Sequence, residues 1–457
     1  ALDRVNDALD ELDLAEKEAP GSPETALLFS RAFLAKGERM SAPRPSGARS
    51  LPFEDAARRD CFEEASRRLT SLLGGSSRLA EIASLLARAR LALGDFEGAE
   101  SALARAKEAD PKYPGLARQR GDVAFLNYLF LRNQEEGAPV EREKLVRAAR
   151  LAYEEAMRAD PNDAAAAKSL GDLHLWREKP GEAAGAYAEA LSRDPTILDL
   201  SALPSRLSEP LARKTIEGAA AKYDASHPKD GAASAPLWWY AGFHQFKAGD
   251  MKEARASFAK ALAKNPTFTN AHYYAGRAAY QEKDYEAAEA SFVALARAGY
   301  AGFGEILNNS GQTTPDHDIV AFLANRAARE GSDEVARDLF RGLAEVQPDN
   351  ADHWNNAAFF ARNSGRYEDS YAYYTRALEI RPDDPQLLNA AAIVLDYNLG
   401  RDLEEAKRLY RRAIECAERV LKNRDASEEA KQEARTAKGD AENNLRRFDR
   451  RTERPRR

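Results

Sequence analysis

Six histidines, two cysteines and one run of closely spaced glycines are the residues of this chain that could carry chemistry. His317 stands in Asp316-His317-Asp318 and His353 follows Asp352, and Asp318 and Asp352 share a spacing that recurs throughout the chain. Brought side by side, such a set could share a divalent ion. Metal sites of that kind are usually built from ligands a few residues apart, as in HxxxH or CxxC, and neither spacing occurs here. An aspartate at the start of a helix has a simpler role, accepting from the first free backbone N–H groups and complementing the helix dipole. No metal and no cofactor is therefore expected. Gly299, Gly302 and Gly304 follow no strand and carry no lysine, so they do not form a phosphate-binding loop. There is no serine or cysteine nucleophile motif, and paired acids belong to solvated helix faces. Cys61 and Cys416 lie near opposite ends of the chain and read as two unpaired thiols. These residues do not make an enzyme.

If chemistry is absent, the elements must serve binding, and their organisation says how. Gly242 recurs as Gly276, Ala254 as Ala288 and Phe258 as Phe292, each across an interval of about 34 residues. A period in the thirties marks a helical solenoid, in which each unit buries its apolar face only against its neighbours. The turn before the second helix keeps the register: Gly94–Ala99, Lys179–Ala184, Gly249–Ala254, Lys283–Ala288, Gly331–Ala336, Gly365–Ser370 and Gly400–Ala406. Prolines 111, 161, 195, 266, 348 and 382 close units, since proline stops a helix and fixes the next turn. Ala99 to Ala183 spans two periods and about half of another, which predicts one enlarged inter-helix loop at Asn133–Lys144. A second insertion is predicted near Tyr300–Asp316, and Pro204 and Pro210 break the first helix of a degenerate unit, a predicted bend.

The expected layout is N-terminal helices with a degenerate pair and a long loop over 1–79, then an array over 80–197. The degenerate unit over 198–234 is followed by a second array over 235–424, with an insertion at 303–316. A capping helix and an Arg-rich tail occupy 425–457, the tail RRFDRRTERPRR reading as disordered. The net charge of −6 gives no global attraction for nucleic acid. The longest apolar run, around Leu387–Leu395, is interrupted by Asn389 and too short to span a bilayer. With 44% hydrophobic and 31% charged residues, the expectation is a soluble protein of the cytoplasm or the cell-envelope side. Its start at Ala1 fits either a removed leader or a truncation.

Trp238, Ala241, Gly242 and Gln245 form one helical stripe, and Ala254, Phe258, Ala261 and Pro266 follow on the next helix. This pattern resembles the tetratricopeptide repeat (TPR) almost position by position. It is equally clear over 80–113, 164–197, 269–302, 317–350 and 351–384, and over 385–420 with a two-residue insertion. It is split over 114–163 and degraded over 20–76 and 198–231. The resemblance implies an all-α, right-handed superhelical solenoid of about nine to ten antiparallel helix pairs with a concave groove and a C-terminal capping helix. It implies docking of a peptide or partner protein, and no catalysis.

In TPR proteins the groove is lined by the first helix of each unit. Carried over residue by residue, the resemblance names Trp239, Phe243, Phe246, Asn270, Tyr273, Arg277 and Tyr280, then Phe322, Asn325, Asn355, Phe359, Arg362 and Asn389. Aromatic rings bury apolar side chains, amides pair with extended backbone, and arginine holds carboxylates. Asn355 and Asn389, with Asn356 beside them, resemble a short asparagine ladder. Ala321 and Gln386 stand where a basic carboxylate clamp needs lysine, so binding of chaperone C-termini is not expected. The expected function is a non-catalytic scaffold holding a peptide or partner protein. The alternative is a structural subunit that self-associates or joins a larger assembly, its acidic N-terminal helix opposing the Arg-rich C-terminus.

Overall fold

A computed structural model describes residues 2–40, 56–74, 77–133, 139–228, 231–299, 303–304 and 315–452. The described residues form helices joined by short turns, grouped into two units that divide between Asp230 and Gly231. In the first unit, α1 (Leu2–Glu18), α2 (Pro23–Arg39), α3 (Ala56–Ser71), α4 (Leu79–Ala92) and α5 (Phe96–Ala109) come first. Then follow α6 (Leu116–Asn133), α7 (Pro139–Ala159), α8 (Ala164–Trp176), α9 (Pro180–Arg193), α10 (Leu203–Arg206) and α11 (Glu209–Ser226). The helices pack as sequential pairs, α2 on α3, α4 on α5, α6 on α7 and α8 on α9, while α11 packs on α9 past the short α10.

Several pairs share one recurrent contact. A Cβ built on Gly171 would lie 2.5 Å from Cδ1 of Tyr187, and one on Gly242 would lie 2.6 Å from Cε1 of Phe258. A glycine in the first helix lets the ring of the second lie flat on its backbone, and the apolar area removed from water there holds the two helices together. In regular units the ring follows the glycine at one fixed interval, as Tyr187 follows Gly171 and Phe258 follows Gly242. The same contact joins Gly121 to Tyr153 across twice that interval and Gly37 to Phe62 across an intermediate one, so both irregular pairs keep the repeat geometry.

Between Gly121 and Tyr153 the extra residues do not form the loop that the sequence predicts. Most of them lengthen the helices: α6 has 18 residues and α7 has 21, against 13 or 14 in regular units, leaving only 134–138 outside the described residues. Leu129 of α6 and Leu145 of α7 are buried on the added turns, which explains why the segment stays helical. Pro204 and Pro210 stand in the first turns of α10 and α11. The short α10 ends at Arg206, and Ser208 takes φ 145° before α11 begins.

The second unit begins with a 3-10 turn, Ala232–Ser234, followed by α12 (Ala235–Ala248), α13 (Met251–Lys264), α14 (Thr269–Gln281) and α15 (Tyr285–Arg297). It continues with α16 (Pro315–Arg329), α17 (Asp333–Val346), α18 (Ala351–Asn363), α19 (Tyr367–Ile380) and α20 (Pro385–Ile393). Then come a π-helical turn, Val394–Leu399, α21 (Leu403–Lys422) and α22 (Glu428–Thr452). Residues 305–314 of the predicted insertion lie outside the described residues, but Phe303 is fully buried with Phe292, Leu323 and Leu343. In the last pair the buried Ala392 and Tyr410 stand two positions further apart than the matching glycine and ring of a regular unit. The extra positions enter the π-helical turn and the left-handed Gly400 and Asp402. A π turn takes up an inserted residue without ending the helix.

The predicted C-terminal tail needs correction. Its first half is the end of α22, with Phe448 3% exposed and edge-on to Tyr410 at 6.4 Å. A buried aromatic there extends the cap by two turns, and 453–457 lie outside the described residues.

Candidate functional site

The residues that sequence reasoning nominated sit on the first helix of successive pairs in the second unit: α12, α14, α16, α18 and α20. On α12, Trp239 and Phe243 stack at 5.4 Å, one helical turn apart. Tyr274 of α14 enters the notch beside them. Its ring centroid is 5.1 Å from Phe243, 5.4 Å from Phe246 and 6.0 Å from Trp239, and it also stacks on the core ring Phe258. All four notch residues are half-buried. The indole N–H of Trp239 is buried without a hydrogen-bond partner, an unsatisfied donor inside an apolar cluster.

Tyr273 and Arg277 serve as a strut. The Tyr273 hydroxyl donates to Asp316 Oδ2 at 2.7 Å, and Arg277 Nη1 donates to the same hydroxyl at 3.1 Å. Arg277 also faces Asp316 Oδ1 at 3.3 Å and lies over the rings of Phe246 and Tyr273. Burial, with the Asp316 hydrogen bond second, pushes the Tyr273 phenol above its ordinary range. Asp316, one of the acids weighed above for a metal, is thereby engaged with α14. Among the described residues no group of three His, Cys, Asp or Glu side chains could hold a metal ion.

Further along, Tyr280 meets Phe322 edge-on at 5.8 Å, and Tyr285 completes the trio at 5.3 Å from Phe322. Phe322 is 38% exposed and Phe359 of α18 is 41% exposed, unusual for phenylalanine. Arg362 lies over Phe359, 5.4 Å from its centroid. Asn325 is exposed, its amide donating to Ala321 O in its own helix, while Asn270 is exposed and Asn355 half-buried. Asn389 is 9% exposed, and its Oδ1 accepts from Asn444 of α22 at 3.1 Å, so the capping helix covers it. The structure thus brings Trp239, Phe243 and Phe246 together, joins Tyr280 to Phe322, and turns Tyr273, Arg277 and Asn389 toward partners within the chain.

Sequence reasoning missed Tyr274, the hub of the notch, and Asp316 as the strut's acceptor. A signal was available for Tyr274. Phe243 and Phe246 are separated by one turn of α12, and a gap between two rings has to be filled from the adjoining helix by a residue next to the one nominated.

Family models for the tetratricopeptide repeat match residues 80–113, 141–196, 245–299 and 323–385. The chain is a tetratricopeptide repeat protein. Comparison with curated proteins gives no match. Among solved structures, the TPR domain of P58(IPK) is similar at 17% identity, covering 82% of this chain and 99% of that one, with a TM-score of 0.23. Yeast Tom70 is similar at 15% identity over 93% and 89%, with a TM-score of 0.21. YrrB, described as a TPR protein with an unusual peptide-binding site, is similar at 16% identity over 43% and 91%, with a TM-score of 0.22. An array of such repeats is a scaffold for protein–protein interaction, and the family is generally non-catalytic. No described helix of this TPR protein is long and apolar enough to cross a membrane.

Proposed function

We propose that this TPR protein holds an extended peptide segment of a partner protein against the first helices of its second unit. The segment would run along Trp239, Phe243, Tyr273, Arg277 and Tyr280, then Asn325, Asn355, Phe359 and Arg362, ending where α22 covers Asn389. The observation that carries this reading is the exposure of Phe322 and Phe359 on the first helices of adjacent pairs. Covering a phenylalanine side chain is worth about 1.5–3 kcal/mol, so two exposed rings next to a ring cluster are an anchor for apolar side chains. The unsatisfied indole N–H of Trp239 adds a donor that a ligand carbonyl would satisfy if the ring swung outward. Free amides such as Asn355 would pair with extended backbone.

The test is a Phe322→Ala/Phe359→Ala variant used as bait beside the unaltered protein. Both side chains are exposed, so the variant keeps its circular dichroism and melting temperature. Loss of the partners captured by the unaltered protein is the expected result. Full retention of them refutes the groove.

A further inference from the structure

We propose that the peptide held on this face is acidic as well as apolar, carrying several side-chain carboxylates between its aromatic or aliphatic anchors. The inference rests on the groove reading above and adds the charge of the ligand. It starts from an absence in the sequence. Asp and Glu make up 74 of the 457 residues, yet neither occurs among the 14 residues of α12 or the 13 residues of α14. In a chain of net charge −6, this face has lost its acids where its aromatics are densest.

The cations on the same helices separate into two kinds. Arg277 is matched by Asp316, and Arg326 by Glu289 at 2.7 Å and Glu330 at 2.9 Å. Lys247, Arg329 and Arg362 have no carboxylate partner among the described residues. Two of these three lie over rings of the proposed face, Lys247 over Phe243 at 5.4 Å and Arg362 over Phe359 at 5.4 Å. The acids of these first helices, and of the π turn that extends α20, are almost all engaged. Asp316 faces Arg277, Asp352 pairs with Arg381 and Asp396 with Arg451, leaving Asp318 without an ion pair among the described residues.

A cation lying on an aromatic face keeps hydrogen-bond donors free for a carboxylate, and a charge-assisted bond there is stronger than a neutral one. Lysine and arginine in the last turn of a helix also complement its dipole, which explains one cation per helix but not the missing acids. The three cations stand on α12, α16 and α18, so one terminal carboxylate could meet only one of them. Several side-chain carboxylates along an extended segment match the arrangement.

The intact protein is labelled and applied to an array of immobilised random peptides with amidated C-termini. The Phe322→Ala/Phe359→Ala variant and a Lys247→Glu/Arg329→Glu/Arg362→Glu variant are run beside it. The expected result is enrichment of Asp or Glu next to Phe, Tyr or Leu, roughly tenfold over Gln in the same places, fading as salt rises. The charge-reversed variant should lose the preference for acids while still retaining aromatic peptides. Enrichment of aromatics with no preference for acids, or a preference for Lys and Arg, overturns the charge inference and leaves the groove standing. Peptides retained equally by the Phe322→Ala/Phe359→Ala variant overturn the groove and the inference together. A second array with free C-termini separates the two sources of carboxylate. Binding that needs the free terminus overturns the side-chain assignment.

Discussion

Tyr153 lies against the backbone of Gly121 so closely that a Cβ on that glycine would stand 2.5 Å from ring carbon Cε1. The hydroxyl of the same ring donates to Asp122 Oδ1 at 2.9 Å, joining α7 to α6 a second time. Gly121→Ala therefore drives a methyl into a fully buried ring that has no room to retreat. The expected cost is about 1–3 kcal/mol, as for other overpacked cores. Urea unfolding followed by circular dichroism should show it, and Tyr153→Leu in the same chain should recover part of the loss. An unchanged unfolding curve for Gly121→Ala would mean that the pair is not held by this contact.

The same pair shows what could be read without coordinates. Gly242/Phe258 and Gly276/Phe292 keep an identical short separation and disclose the repeat directly. Gly121 and Tyr153 make the same contact at twice that separation, so only the surrounding frame assigns them to one unit. That frame located the inserted residues but not their conformation. Buried Leu129 and Leu145 make most of them helix, a tertiary effect that local polarity conceals. The nominated face was legible in outline because position on the first helix follows from the period. Which of its residues stay available was not. Asp316 binds Tyr273 from 43 residues away and Asn444 binds Asn389 from 55 away, and no local pattern announces either contact.

Asp122 should give the first unit a distinctive pH dependence. Burial pushes its pKa up to about 6, against the opposing charge of Arg118 and the hydrogen bond from Tyr153. A carboxyl with a folded pKa above its unfolded value near 3.8 takes up a proton on folding between those two values. Its contribution to stability is thus most favourable below about pH 4, falls as pH rises to about 6, and is unfavourable above that. Asp122→Asn removes this term and still accepts from Tyr153. The stability of the variant relative to the unaltered protein should rise steadily from pH 4 to pH 6 and then level off. A flat difference across that window would refute the assignment.

Lys283 occupies the turn between α14 and α15 with φ 63°, where the corresponding turns use Gly94, Gly249, Gly331 and Gly365 at φ 76° to 89°. A side chain in the left-handed region costs about 1 kcal/mol, partly offset by the freedom glycine would add to the unfolded chain. Lys283→Gly should stabilise the second unit by about 0.5 kcal/mol, with peptide binding unchanged. A lower unfolding midpoint would mean that the lysine side chain contributes more than its backbone strain removes.

At the end of the array one ion pair has a buried partner. Arg451 near the end of α22 reaches Asp396 in the π-helical turn, whose carboxylate is fully buried, while Tyr410 donates to Asp396 Oδ2 at 3.3 Å. The Arg451 guanidinium also lies 5.0 Å from the ring of Tyr397 and 6.0 Å from that of Phe448. Arg451→Ala leaves a buried carboxylate with its cation gone, and that is the costly way to break such a pair. Because Arg451 is itself half-exposed, the expected loss is about 2 kcal/mol, less than for a fully buried pair. It should appear as faster amide exchange across α22 and the π-helical turn, with α12 to α15 unaffected. Asp396→Asn in the same chain removes the stranded charge and should restore most of the protection, which loss of aromatic packing alone would not allow. If the double variant exchanges as fast as Arg451→Ala, the cap is held by the rings of Tyr397 and Phe448 and not by the charge.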